Sequence, residues 1–155
     1  MNRDQLTAFV IESNRIEGIH DGVYQPVFEK TYEAHVVLLG QKVLTTPRLE
    51  QFVHTVAKAP LRKTPGMDVR VGNHTPPPGG PKVKQGLDEL LDDINSGLLG
   101  PYDAHLSYEY LHPFMDGNGR SGRAIWAWQM LGDEQDPFAI PFLHRFYYQT
   151  LDASR

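Results

Sequence analysis

The residues with the densest chemistry lie in one run: Leu111-His112-Pro113-Phe114-Met115-Asp116-Gly117-Asn118-Gly119-Arg120-Ser121-Gly122-Arg123. Pro113 prevents a preceding helix from continuing, which places His112 at a helix end, where a side chain can face a cleft. Gly117 and Gly119 carry no Cβ and allow a tight turn with close backbone approach. A helix starting there directs unpaired N–H groups at the turn, which suits an anion such as phosphate. Arg120 and Arg123 are three apart and share a helix face beside that turn. Their planar forks match phosphate oxygens in pairs. Asp116 offers a carboxylate next to the same anion site, and one carboxylate plus substrate phosphates is a common way to hold Mg²⁺. His112 is the group's proton acceptor at neutral pH. Together these are a phosphate cradle, a metal ligand and a base.

The run matches in full the motif of the Fic family, His-Pro-Phe-x-Asp-Gly-Asn-Gly-Arg-x-x-Arg, with nine fixed positions in twelve. The resemblance extends to His105 in the preceding helix, read as a buried or orienting residue. It includes the stretch Val69 to Pro78, which looks like the family's flap, although Asn73 stands where a second glycine is common. It reaches a closing segment with Tyr147, Tyr148 and Leu151. It implies an all-α protein, a Fic-type helical bundle with a short β-hairpin flap. It also implies transfer of AMP from ATP to a Ser, Thr or Tyr hydroxyl of a target protein. On that resemblance His112 takes the hydroxyl proton and Asp116 ligates Mg²⁺. Gly117, Asn118 and Gly119 hold the α-phosphate, Arg120 and Arg123 hold the outer phosphates, and Phe114 is an inward packing anchor. The flap, through Val69, Arg70, Val71 and Gly72, pairs with an extended target segment by adding a strand. Tyr147 and Tyr148 line the adenine pocket or serve as core aromatics.

Ser13-Asn14-Arg15-Ile16-Glu17-Gly18 resembles the family's inhibitory pattern, Ser/Thr-x-x-x-Glu-Gly/Asn. Ser13 and Glu17 are four apart, hence on one helix face. The resemblance implies that Glu17 pairs with Arg123 and keeps it from the γ-phosphate, a brake in cis. The related Doc subgroup phosphorylates its targets, and its loop carries lysine where this chain has Gly119 and a non-glycine residue at the position of Gly117. Both positions favour AMP transfer here. The alternatives are transfer of another nucleotide or of phosphate, and removal of AMP with Glu17 positioning a water. An idle binding module is a further alternative, against which the intact motif argues.

Around this loop the chain reads as helical. Leu6, Phe9, Val10 and Ser13 recur at helical steps, and Gly18 can close that helix. Further helices are expected over about 26–39, from Thr46-Pro47 to a stop at Pro60, through Val83 to Ile94, from Pro101 toward His112, from about Gly119 to Met130, and over roughly 141–151. Thr46 is read as the capping hydroxyl of the third. Residues 67–71, Met-Asp-Val-Arg-Val, alternate as a strand does and lead into a Pro/Gly run. His20, His35, His54 and His144 are read as surface or helix positions, and Trp126 and Trp128 as core. The organisation expected is one domain over 1–155, with an inhibitory helix segment at 10–18, a flap at 67–80 and a catalytic loop at 112–123.

Composition sets the outer bounds. The chain has 155 residues, no cysteine, and fifteen Lys and Arg against nineteen Asp and Glu, for a net charge of −4. That rules out a disulfide or Cys-based zinc site and gives no general attraction to nucleic acid or anionic membrane. Its apolar runs are too short to span a bilayer, and its N-terminus lacks a signal-peptide core, so a cytoplasmic location is expected. ATP, Mg²⁺ and a target protein are the expected partners, with a homo-oligomer as an open alternative.

Overall fold

A computed structural model describes residues 2–20, 22–23 and 25–138. The expected closing helix over 141–151, with His144, Tyr147 and Tyr148, lies outside them. Among the described residues there are six helices: α1 Arg3–Ile16, α2 Pro26–Leu39, α3 Thr46–Ala57, α4 Pro81–Asn95, α5 Pro101–Leu111 and α6 Asn118–Gly132. Four of them carry proline in the first turn, where its missing N–H costs nothing. Asn2 opens α1 with a reciprocal cap, accepting from the Gln5 backbone at 2.8 Å. α3 is capped by Thr45, not Thr46. The Thr46 hydroxyl instead bonds the Asp88 carboxylate on α4, because a residue already inside the helix can reach a neighbouring helix.

α6 is the shared wall of two apolar clusters. Ala124 and Ile125 pack with Leu49, Phe52, Val53, Leu87, Leu91 and Tyr108 from α3, α4 and α5. Trp126, Ala127 and Met130 pack with Leu6, Phe9, Val10 and Phe28 from α1 and α2. α6 is buried on nearly all sides, so the motif run at its start is held from both directions. Trp126 is core as expected, whereas Trp128 is half-buried and donates from Nε1 to the Gln41 carbonyl at 2.7 Å.

His35 departs from a surface position. It lies on α2 but is fully buried, edge-on between Phe9 of α1 and Phe52 of α3. Its Nδ1 lies 2.8 Å from the Thr31 carbonyl, so Nδ1 carries the proton of a neutral ring. Burial lowers its pKa from 6.5 to about 4, against the Thr31 contact, with the Arg123 and Arg120 charges adding to the depression. The unfolded chain therefore binds a proton that the folded one refuses. Stability is constant with respect to this group above pH 6.5 and falls as pH drops toward about 4. The full window is worth about 3 kcal/mol. His35→Leu is expected to flatten that part of the profile, read as urea midpoints of both proteins from pH 7 to pH 4. Parallel profiles would contradict the assignment.

The expected strand over 67–71 does not form, and the described residues contain no regular strand. What remains of the hairpin is its turn: Val71 and His74 exchange both backbone hydrogen bonds, at 2.9 and 2.8 Å, around Gly72 at φ +57°. The next rung of a ladder would join Val69 to Pro76, which has no N–H to donate. The three consecutive prolines of the return arm thus stop the ladder at the Val71–His74 pair.

Candidate active site

The motif run folds as helix, turn, helix. α5 ends on His112, which adopts a left-handed conformation at φ 48°, ψ 61°. A non-glycine residue there costs about 1–2 kcal/mol and persists only when its surroundings fix it. Its N–H donates to the Tyr108 carbonyl at 2.9 Å, and its carbonyl accepts from Arg62 Nε at 2.7 Å. Phe114 is fully buried, as expected of an anchor.

The Asn118 side chain bonds back to Phe114. Its side-chain oxygen accepts from the Phe114 N–H at 2.9 Å and its amide donates to the Phe114 carbonyl at 2.8 Å. The buried side chain is spent on closing the turn, so any contribution to phosphate falls to backbone N–H groups. Gly117 has φ +79°, and a Cβ on it would sit 2.7 Å from the Ala57 Cβ. Only glycine fits there. A buried relay fixes the same point: Tyr108 OH donates to Ser121 Oγ at 2.6 Å, and Ser121 Oγ donates to the Gly117 carbonyl at 2.8 Å. Burial pushes the Tyr108 pKa upward, which keeps the phenol a donor.

Asp116 is exposed, and its Oδ1 accepts from the Gly117 N–H at 2.7 Å. The described residues contain no cluster of three metal-ligating side chains. One carboxylate beside a helix N-terminus fits Mg²⁺ that arrives with substrate phosphates, and does not fit a resident protein-caged ion.

Both motif arginines are buried and engaged at helix ends. Arg120 donates from one terminal nitrogen to the Val56 carbonyl at 2.6 Å, in the last turn of α3. Arg123 is 1% exposed and held by α1. Its Nε donates to Ser13 Oγ at 2.9 Å, and a terminal nitrogen donates to the Ser13 carbonyl at 2.9 Å and to Glu17 Oε1 at 2.7 Å. The Ser13 carbonyl belongs to the last turn of α1, whose orphan acceptors favour a cation. A Cβ on Gly119 would run into the Glu17 carboxylate. The carboxylate therefore lies against the first turn of α6, where a phosphate would bind. The sequence pairing of Glu17 with Arg123 thus corresponds to a contact in the fold.

His105 is buried, with Nδ1 3.1 Å from the Gly122 carbonyl and Nε2 3.9 Å from Glu109. Its burial agrees with the sequence reading of a buried or orienting residue. Val69 and Val71 are half-buried and Arg70 exposed. At the flap tip the His74 ring stands edge-on to Tyr110, with Nε2 3.0 Å from the Tyr110 carbonyl. At the flap base Asp68 accepts from the Gly79 N–H at 2.8 Å. Sequence reasoning missed Arg62, Tyr108 and Ser121. Tyr108 sits one helical turn before His112, a spacing that could have marked it. Arg62 had no comparable signal.

These elements define a helical protein with a glycine-bearing turn between His112 and the start of α6. A family model described as the Fic/DOC family matches residues 11–130, and the chain belongs to that family. Curated relatives include proteins named protein adenylyltransferase Fic from Drosophila grimshawi, 33% identical over 86 residues, and from Drosophila willistoni, 35% identical over 86 residues. Each alignment takes in 52% of this chain but only 18% and 17% of those proteins. A solved Fic domain containing signaling protein from Bacteroides thetaiotaomicron is similar in fold, with TM-score 0.56 at 20% identity, over 82% of this chain and 63% of that one. Among the described residues no helix is long and apolar enough to cross a membrane.

Proposed function

We propose that the chain transfers AMP from ATP to a hydroxyl of a target protein. The observation that carries this reading is the complete motif folded around one turn, with His112 at one end and the bare Gly117 to Gly119 helix start at the other. His112 takes the proton as the hydroxyl oxygen attacks the α-phosphorus. The bond to the bridging oxygen breaks and pyrophosphate leaves. Backbone N–H groups at the start of α6 hold the α-phosphate, and Arg120 and Arg123 receive the outer phosphates. Mg²⁺ on Asp116, when bound, neutralises charge shared by the phosphates. Reaction of this type depends on placement and charge more than on covalent help. Val69 to Gly72 form the outgoing arm of the flap, and an extended target segment can add along the side that faces away from the Val71–His74 pair.

Glu17 acts as the brake in this reading. Its carboxylate occupies the anion site and ties up Arg123. A lysine at position 119, as in a Doc-type kinase, would need the space that carboxylate fills. The same Glu17 could orient a water for removal of AMP, and its 36% side-chain exposure beside the turn favours keeping that as the second reading. The deciding experiment supplies ATP labelled at the α- or the γ-phosphate to Glu17→Gly protein, with and without chelator. Label from the α-position alone, lost with chelator, is expected. Label from the γ-position alone would overturn adenylyl transfer.

A further inference from the structure

Arg62 and Arg123 are the two largest fully buried side chains among the described residues, and Arg62 is at 0% exposure. It lies between α3 and the flap, outside the catalytic run. Its guanidinium makes four hydrogen bonds, all to main-chain carbonyls, and these belong to two separate segments. Nε donates to His112 at 2.7 Å and one terminal nitrogen to Leu111 at 3.0 Å. The other terminal nitrogen donates to Met67 at 3.1 Å and Pro77 at 2.9 Å, the two arms of the flap base. Its own backbone extends the link, donating to the Pro113 carbonyl at 2.8 Å and accepting from the Gly80 N–H at 2.9 Å.

Each half of this arrangement has a physical reason. The end of α5 gathers partial negative charge on carbonyls that Pro113 keeps from helical partners, and a buried cation is stabilised there. The flap base cannot make a ladder because of its prolines, so its carbonyls need another donor. One planar fork serves both sets at fixed relative orientation, which a single ammonium cannot do.

We propose that Arg62 is a positioning residue that sets the gap between a target docked on the flap and the base at His112. It does so by holding the left-handed His112 backbone and both flap arms in one rigid unit. The role rests on the transferase reading, since it presumes that His112 is the base and the flap the docking edge.

The test compares Glu17→Gly protein with the same protein carrying Arg62→Lys or Arg62→Met. Self-modification is followed with α-labelled ATP, nucleotide binding with a non-hydrolysable ATP analogue, flap amides by hydrogen exchange, and the His112 ring by nitrogen-15 resonances assigned with His112→Ala. Arg62→Met removes every donor and serves as the extreme case, while Arg62→Lys keeps the charge and the fold and carries the decision. For Arg62→Lys we expect at least about a tenfold fall in the saturating rate, the analogue's Kd within about twofold, flap amides exchanging at least about tenfold faster, and displaced His112 resonances. An unchanged rate and unchanged His112 resonances in folded Arg62→Lys protein would overturn the proposal and leave Arg62 a scaffold residue. Equal losses in rate and nucleotide binding would overturn it as well. A silent Glu17→Gly parent would instead count against the transferase reading, and the exchange and resonance measurements would still decide the link between flap and His112.

Discussion

Glu17→Gly protein is expected to incorporate AMP into itself and into targets at least about tenfold faster than the native chain, the equivalent of ~1.4 kcal/mol. The carboxylate does two things at once. It accepts from Arg123 at 2.7 Å, and it lies against the first turn of α6, so that a Cβ on Gly119 would strike it. A fixed negative charge there competes with an incoming phosphate for the same N–H groups and the same guanidinium. Its partial exposure limits the strength of the pair through solvent screening, which is why the expected gain is set at a single decade as a minimum. The two contacts from Arg123 to Ser13 do not involve the carboxylate. They keep α1 docked and the guanidinium anchored when Glu17 is replaced. Arg123→Ala is therefore not expected to mimic the gain, since it removes the Glu17 contact, the proposed phosphate ligand and the donors to the last turn of α1 together. The comparison is labelled-AMP incorporation by both proteins with nucleotide binding measured in parallel. A Glu17→Gly protein that binds ATP yet works no faster than the native one would show that the segment is only a helix end.

His112→Ala, made in the Glu17→Gly background, is expected to lower transfer by about a hundred- to ten-thousand-fold, the range typical of losing a general base. The reason for a selective effect is that the fold holds this residue by its backbone. The N–H goes to Tyr108 and the carbonyl to Arg62, and both contacts survive truncation of the ring. Alanine in the left-handed region keeps the same backbone strain, so the helical content and ATP affinity should stay near those of the parent. Single-turnover rates with α-labelled ATP, alongside analogue binding, separate the chemical step from folding. Near-parental rates in a verified variant would remove His112 from the role.

The sequence by itself determined the six described helices and the family, because these depend on local rules. Proline at helix starts, apolar residues at three- and four-residue steps, and glycines at a turn act within a few residues of themselves. The pairing of Ser13 and Glu17 on one face was legible for the same reason. Which atoms the polar side chains would spend on the scaffold was decided only in three dimensions. Asn118 reads as a phosphate ligand in the run, but folding brings both backbone groups of Phe114 into its reach. Arg120 and Arg123 read as phosphate forks, yet each also meets the orphan carbonyls of a helix distant in sequence, α3 for one and α1 for the other. His35 has no periodic signature separating a surface position from a wedge between Phe9 and Phe52. The alternating pattern of residues 67–71 signals a strand, but a strand needs a partner with N–H groups, and the facing prolines supply none. Arg62 is the extreme case: it serves carbonyls 49 and 50 residues away as well as 5 and 15. Hydrogen-bond demand at buried helix ends is met by whichever donor the packing delivers, and that delivery is a property of the tertiary structure.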